Sequence, residues 1–110
     1  MRSEFLPDLD EGMLEYFRAM ADVLVEHFGI SRAEAVARIN ERYGGLEIDP
    51  YPDIMCHEMP EYWAYGTYYL PDDQGRLPIG GSVADRDIDF ERLQVRPAPP
   101  RPSRFWTIQG

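Results

Sequence analysis

Met13, Phe17, Met20, Leu24 and Phe28 recur at steps of three and four residues, so a helix through them carries one unbroken apolar stripe. Glu11, Glu15, Arg18, Asp22 and Glu26 recur at the same spacing, setting a mostly acidic stripe back to back with the apolar one. Asp8-Leu9-Asp10-Glu11 supplies the start, because a short carboxylate accepts from the free N–H groups of a first turn whose dipole favours acids. Gly29 sits where a left-handed C-terminal cap belongs. The pattern predicts a helix over about residues 9–28.

Ser31-Arg32-Ala33-Glu34 spells a capping box, in which the serine hydroxyl accepts from the Glu34 amide and the glutamate accepts in return from the Ser31 amide. A second helix is predicted from it, with Ala35, Val36, Ile39 and Tyr43 on the buried side and Gly44-Gly45 at the stop. Only Gly29-Ile30-Ser31 separates the two helices, which makes them a helical hairpin. From Leu46 to Met59 the prolines and acids of EIDPYPDI predict an ordered loop or a short extended piece. Pro60 disfavours the helical conformation in Met59 and suits a first helical turn, so a third helix is predicted from Pro60 to about Leu70. Gly66 costs it roughly 1 kcal/mol against alanine and its tyrosines are middling helix formers, so tertiary packing has to hold it. DIDFERLQV alternates Ile88 and Phe90, then Leu93 and Val95, predicting one strand with an irregularity. RPAPPRPSRFWTIQG is proline-rich and largely extended.

These elements predict a mainly α domain, with α+β as the alternative if the C-terminal part adds a short strand or hairpin. A chain of 110 residues is long enough for one core, so 1–110 reads as a single unit, helical over 9–70 and extended over 71–110. Met13, Phe17, Met20, Leu24, Val36, Ile39 and Trp63 are its predicted core.

CHEMPEYWAYGTYYL, residues 56–70, holds four of the seven tyrosines and raises the question of chemistry. His57-Glu58 opens the zinc-protease pattern H-E-x-x-H, but Glu61 stands where the second histidine belongs and Pro60 breaks the helix that would bring the ligands to one face. Cys56, the single cysteine, makes neither a disulfide nor a cysteine-based zinc site unaided and reads as an inert thiol. Cys56 and His57 are neighbours in sequence, so on extended backbone they point to opposite faces and form no dyad. DPYPD lacks the glycine and spacing of a calcium loop, and Asp85, Asp87 and Asp89 lack them too. The expectation is therefore no catalytic residue, no metal and no cofactor. Buried tyrosines need hydroxyl partners, so part of the set is expected at the surface. Tyr62, Tyr65 and Tyr69 fall on one helical face beside Glu58 and Glu61, which has the composition of a protein interface: rigid rings for contact area, carboxylates for charge selection.

Charge sharpens that reading. Twenty acids stand against 11 basic residues, a formal net charge of -9, which disfavours nucleic acid as a partner. Residues 1–91 hold every acid and seven of the basic residues, a formal charge of -13, while 92–110 carry Arg92, Arg96, Arg101 and Arg104 and no acid. With Phe105, Trp106 and Ile108 as an apolar anchor, this tail is expected to pack on its own body. All the basic residues are arginine, which we read as genome base composition rather than as one binding site. The N-terminus has no apolar core of a signal peptide and no run nears the roughly 18 apolar residues of a membrane helix, so the expectation is a cytoplasmic protein without a membrane partner.

VEHFGISRAEAVARINERYGG followed by HEMPEYWAYGTYY resembles small bacterial proteins akin to the immunity partners of polymorphic toxins, over about residues 22–70. The resemblance implies a cytoplasmic, antitoxin-like binder with no chemistry of its own, and it transfers no site residue. An acidic, aromatic-rich domain suits occlusion of a basic toxin or effector surface, with Glu15, Asp22 and Glu26 of the first helix backing the tyrosine patch. A general interaction or structural module is the alternative, a small hydrolase the third, and self-association through exposed tyrosines is compatible with the first two.

Overall fold

The computed structural model describes residues 3–81 and 83–109. Three α-helices carry the fold: α1, Glu11–Phe28; α2, Arg32–Tyr43; and α3, Pro60–Tyr68. Short 3-10 turns lie at Ile54–His57 and Phe90–Arg92, and the described residues form no strand, so the domain is mainly α. Asp10 is the N-cap of α1, its carboxylate accepting from Met13 N at 2.9 Å. Gly29 closes the helix with φ 69° while its N–H donates to Val25 O, a left-handed cap that favours glycine. Ser31 caps α2 by accepting from Glu34 N at 3.1 Å. The Glu34 carboxylate, expected to turn back to the Ser31 amide, instead takes Arg38 Nε at 2.8 Å.

The apolar stripe of α1 is the centre of the core. Met13, Phe17, Met20 and Leu24 are fully buried, as are Val36 and Ile39 of α2. Phe17 meets Phe5 and Tyr43 edge-on at 5.5 and 5.9 Å between ring centres, so the segment before α1 closes one side of the hairpin. The α2 helix is buried nearly all round, because α1, the N-terminal segment and the C-terminal tail surround it. Ala33, Ala35 and Ala37 let these neighbours approach. Asn40, fully buried, serves the two end segments: Oδ1 accepts from Leu6 N at 2.8 Å, and Nδ2 donates to Glu4 O and Phe105 O at 3.1 and 3.0 Å.

Two expectations are corrected. Trp63 packs on the edge of the core rather than within it, half-buried, with Nε1 donating to Met55 O at 2.9 Å, because the indole N–H needs a partner. The buried residues of α3 are Ala64, Gly66 and Thr67. Residues 87–95 form no strand: the Asp89 carboxylate accepts from Glu91 N at 3.1 Å, giving the backbone a local alternative to a ladder, and a 3-10 turn follows. What survives of a sheet is one antiparallel bridge between Tyr69 and Val95, with Leu70 N donating to Gln94 O and Arg96 N to Tyr68 O, both at 2.8 Å. The tail does lie on the body. Ile108 packs against the core, the Thr107 hydroxyl donates to Glu4 O, and Arg101 and Arg104 lie over Trp106 and Phe105.

Candidate interaction surface

The loop between α2 and α3 is fastened from beneath by carboxylates and one tyrosine. Asp10 does double duty: one oxygen caps α1 and the other accepts from Tyr51 N at 2.9 Å. Tyr51 lies so close over Gly12 that a Cβ there would stand 2.6 Å from the Tyr51 Cβ and Cγ, so only glycine fits. Asp53, itself buried, accepts from Asp49 N at 2.8 Å and from Met55 N at 2.9 Å, capping the 3-10 turn. The Tyr16 hydroxyl of α1 sits 2.9 Å from Met55 O and 2.6 Å from Glu58 O. Burial pushes its phenol far above the ordinary range, and the neighbouring Cys56 adds to the effect. Met55 is thus a buried plug under a backbone that has little freedom left.

The outer side of the same loop is apolar and acidic. Ile54 is 78 % exposed, Met59 67 % and Tyr51 57 %. Glu47, Asp49 and Glu58 are exposed among them, and residues 44–75 contain seven acids and no arginine. Large apolar side chains held rigidly in water and rimmed by charge mark contact surfaces more often than folding needs. Glu58 is expected at the surface from the sequence, but Ile54 and Met59 are not, because EIDPYPDI has neither helical nor strand periodicity. Proline and acid next to Ile54 and Met59 were the signal available.

The predicted site residues are not all in one place or in one state. Glu15 and Glu26 are exposed on α1. Asp22 is exposed too, but it is engaged: Arg32 pairs with Asp22 at 3.0 Å and with Glu4 at 3.4 Å, and Arg18 binds Glu4 at 2.9 Å. The Arg18 guanidinium is the main cause holding the Glu4 carboxyl below its ordinary pKa. Asp22 therefore belongs to a network that ties α1 to the N-terminal segment and α2. Glu58 is exposed and Glu61 half-buried at the start of α3.

The tyrosines divide. Tyr65, Tyr68 and Tyr69 gather around Phe28 at the end of α1: Tyr68 stacks on it at 4.0 Å between centres and 5° between planes, while Tyr65 and Tyr69 meet it edge-on at 5.0 and 5.4 Å. The Tyr65 hydroxyl lies 2.7 Å from His27 Nδ1. Gly80 crosses over Tyr65, and a Cβ at Gly80 would stand 3.2 Å from the ring and 3.0 Å from the Glu61 Cβ. That crossing is fixed by the buried Asp85 carboxylate, which accepts from Ile79 N and Gly80 N. Burial raises the pKa of both Tyr65 and Tyr69. Tyr62 stands apart, its ring edge-on to Trp63 at 4.8 Å.

His57 is exposed and Cys56 half-buried, its Sγ 3.6 Å from the Met13 sulfur and its thiol pKa raised by burial first and Asp53 second. Among the described residues no three His, Cys, Asp or Glu side chains gather as a metal-holding group, and no helix is long and apolar enough to cross a membrane. No protein-family model, curated protein or solved structure matches the chain.

Proposed function

We propose that this chain is a non-catalytic acidic binding protein of the immunity or antitoxin kind, which occludes a basic surface of a toxin or effector protein. The observation that carries the reading is the face made by the loop over residues 46–59 and the N-terminal half of α1, where Ile54 and Met59 project from a fastened backbone with Glu47, Asp49, Glu58, Glu11 and Glu15 exposed on the same two elements. Tyr62 and Glu61 continue it along α3. A fastened backbone loses little conformational freedom on contact, and the apolar side chains it presents supply residence time. The acids steer a basic partner and reject acidic ones. Tyr65 and Tyr69 lie away from this face, against His27 and Phe28 at the C-terminal end of α1.

The test is co-expression with the product of the adjacent gene, followed by binding measurements at two salt concentrations. The reading requires that this chain restores growth arrested by that product. Glu15→Arg with Glu58→Arg should then slow association and flatten its salt dependence, whereas Ile54→Ala or Met59→Ala should speed dissociation and cost 1 kcal/mol or more, roughly the threshold of an important contact. Circular dichroism should be unchanged in all of them, because each side chain is exposed. Continued growth arrest, or variants that bind like the wild type, would overturn the assignment.

A further inference from the structure

Arg38, Arg42 and Arg96 converge on one cavity of about 220 Å³, whose remaining walls are Glu41, Thr67 and Pro97. Arg38 and Arg42 come from consecutive turns of α2, and Arg96 reaches in from the tail. Arg38 is buried and already matched: Nε donates to Glu34 at 2.8 Å, Nη1 donates to Arg96 O at 2.6 Å, and the guanidinium lies 4.9 Å from the centre of the Tyr68 ring. The other two are not. The Arg96 side chain makes one hydrogen bond, from Nε to Gly66 O at 3.0 Å. Arg42 donates to no described group; its guanidinium lies 5.8 Å from the Tyr43 ring centre, and Nη2 is 4.0 Å from where a Cβ on the same Gly66 would stand. Two guanidiniums with free N–H groups thus meet over one glycine of α3, and Glu41 is the single carboxylate of the lining.

Arg42 is exposed and Arg96 half-buried, so water screens part of the repulsion between them and an anion bridging the two would relieve the rest. Burial chiefly, and after it the charge of Arg42, push the pKa of Arg96 down, while Tyr43 and Glu41 act in the other direction. Part of the arrangement is structural, since arginines near the last turns of α2 and α3 complement the carbonyl ends of those helices. That role explains the Arg96 Nε bond to Gly66. It leaves the terminal nitrogens of Arg96 and the whole fork of Arg42 directed to no described protein acceptor.

We infer that this cavity is a site for a small tetrahedral oxyanion of the phosphate type, bound by the Arg42 and Arg96 guanidiniums over Gly66. A planar carboxylate fills one guanidinium fork, whereas a phosphate has oxygens enough for forks arriving from two directions. The net charge of -9 does not oppose this at physiological salt, because charges beyond a screening length of roughly 8 Å act weakly and the cavity's own charged walls are three arginines and Glu41. It does oppose a long polyanion, which would have to cross the acidic body.

The experiment is calorimetric titration of the full chain with inorganic phosphate at fixed ionic strength, with phenyl phosphate and acetate as parallel arms. Saturable binding of phosphate is expected, with acetate at least tenfold weaker. If phenyl phosphate binds more tightly than inorganic phosphate, the anion is supplied by a small monoester; the reverse order means the free ion. Arg42→Gln should weaken phosphate tenfold or more while the melting temperature without anion stays unchanged or rises, since a repelling charge is removed. The same variant controls for the general stabilisation that phosphate salts give every protein. Arg96→Gln, checked by circular dichroism, should abolish binding. Absence of saturable binding, equal affinity for acetate, or an Arg42→Gln variant that binds like the wild type would each overturn the site.

Discussion

The α1–α2 hairpin and the segment after α3 are held by different forces. In the hairpin, seven apolar residues of α1 are buried and the stripe predicted from spacing is the core itself. Among described residues 71–109 the buried ones are Pro78, Asp85 and Pro99. That half is organised by carboxylates that gather backbone N–H groups and by backbone pairing: Asp72 with Gln74 and Arg76, Asp85 with Ile79 and Gly80, and the Tyr69–Val95 bridge. Burial is long-range and cooperative, whereas an acid closing its own turn acts over a few residues. The first should melt as a unit, and the second should open piecemeal.

The largest effect is expected where the hairpin is densest. Leu24→Ala removes a fully buried side chain and should lower stability by about 2–5 kcal/mol in denaturant unfolding; a loss below 1 kcal/mol would mean that the stripe collapses easily and is not the core described. Deleting residues 97–110 takes Phe105 O and Thr107 away from Asn40 and leaves one of its amide hydrogens without a partner, for a loss of about 1–3 kcal/mol. An unchanged melting temperature would make the tail a passive linker. The smallest global change is expected from Asp85→Ala, less than about 1 kcal/mol, because the turn it closes opens without the core. Hydrogen exchange at the Ile79 and Gly80 amides should nevertheless accelerate by at least tenfold. If Asp85→Ala instead melts the protein as deeply as Leu24→Ala, the two regions are one cooperative unit and the contrast between them fails.

Legibility in the sequence follows the same division. The hairpin, its caps at Asp10, Ser31 and Gly29, and the helix started by Pro60 could be read because a period of 3.6 and a few cap residues determine them. Residues 87–95 misled because their alternation is real but Asp89 captures the backbone first. Asn40 and Arg38 were invisible as buried groups, since their partners, Glu4, Leu6, Phe105 and Arg96, are remote in sequence and no local pattern announces them. The tyrosine-rich helix was located, but which of its rings are covered depends on Gly80 crossing Tyr65 and on His27 meeting its hydroxyl. The arginine cavity has the same character: three residues from two distant segments, none of them unusual alone.

Asn40 has one more consequence. Its carboxamide holds Glu4 and Phe105 together, and beside it Thr107 bonds to Glu4 across 103 positions of sequence. Between Glu4 and Thr107 the described backbone nearly closes on itself. A few added residues between the stretch after Ile108 and the stretch before Glu4 would close it, and the exposed turn at Asp73-Gln74-Gly75 offers a place to open it elsewhere. The order in which these segments are synthesised is thus separable from the shape they take, and a circularly permuted chain should reach the same fold. Pulling the two end stretches apart would instead load the Asn40 amide and the Thr107–Glu4 bond together, like a clasp.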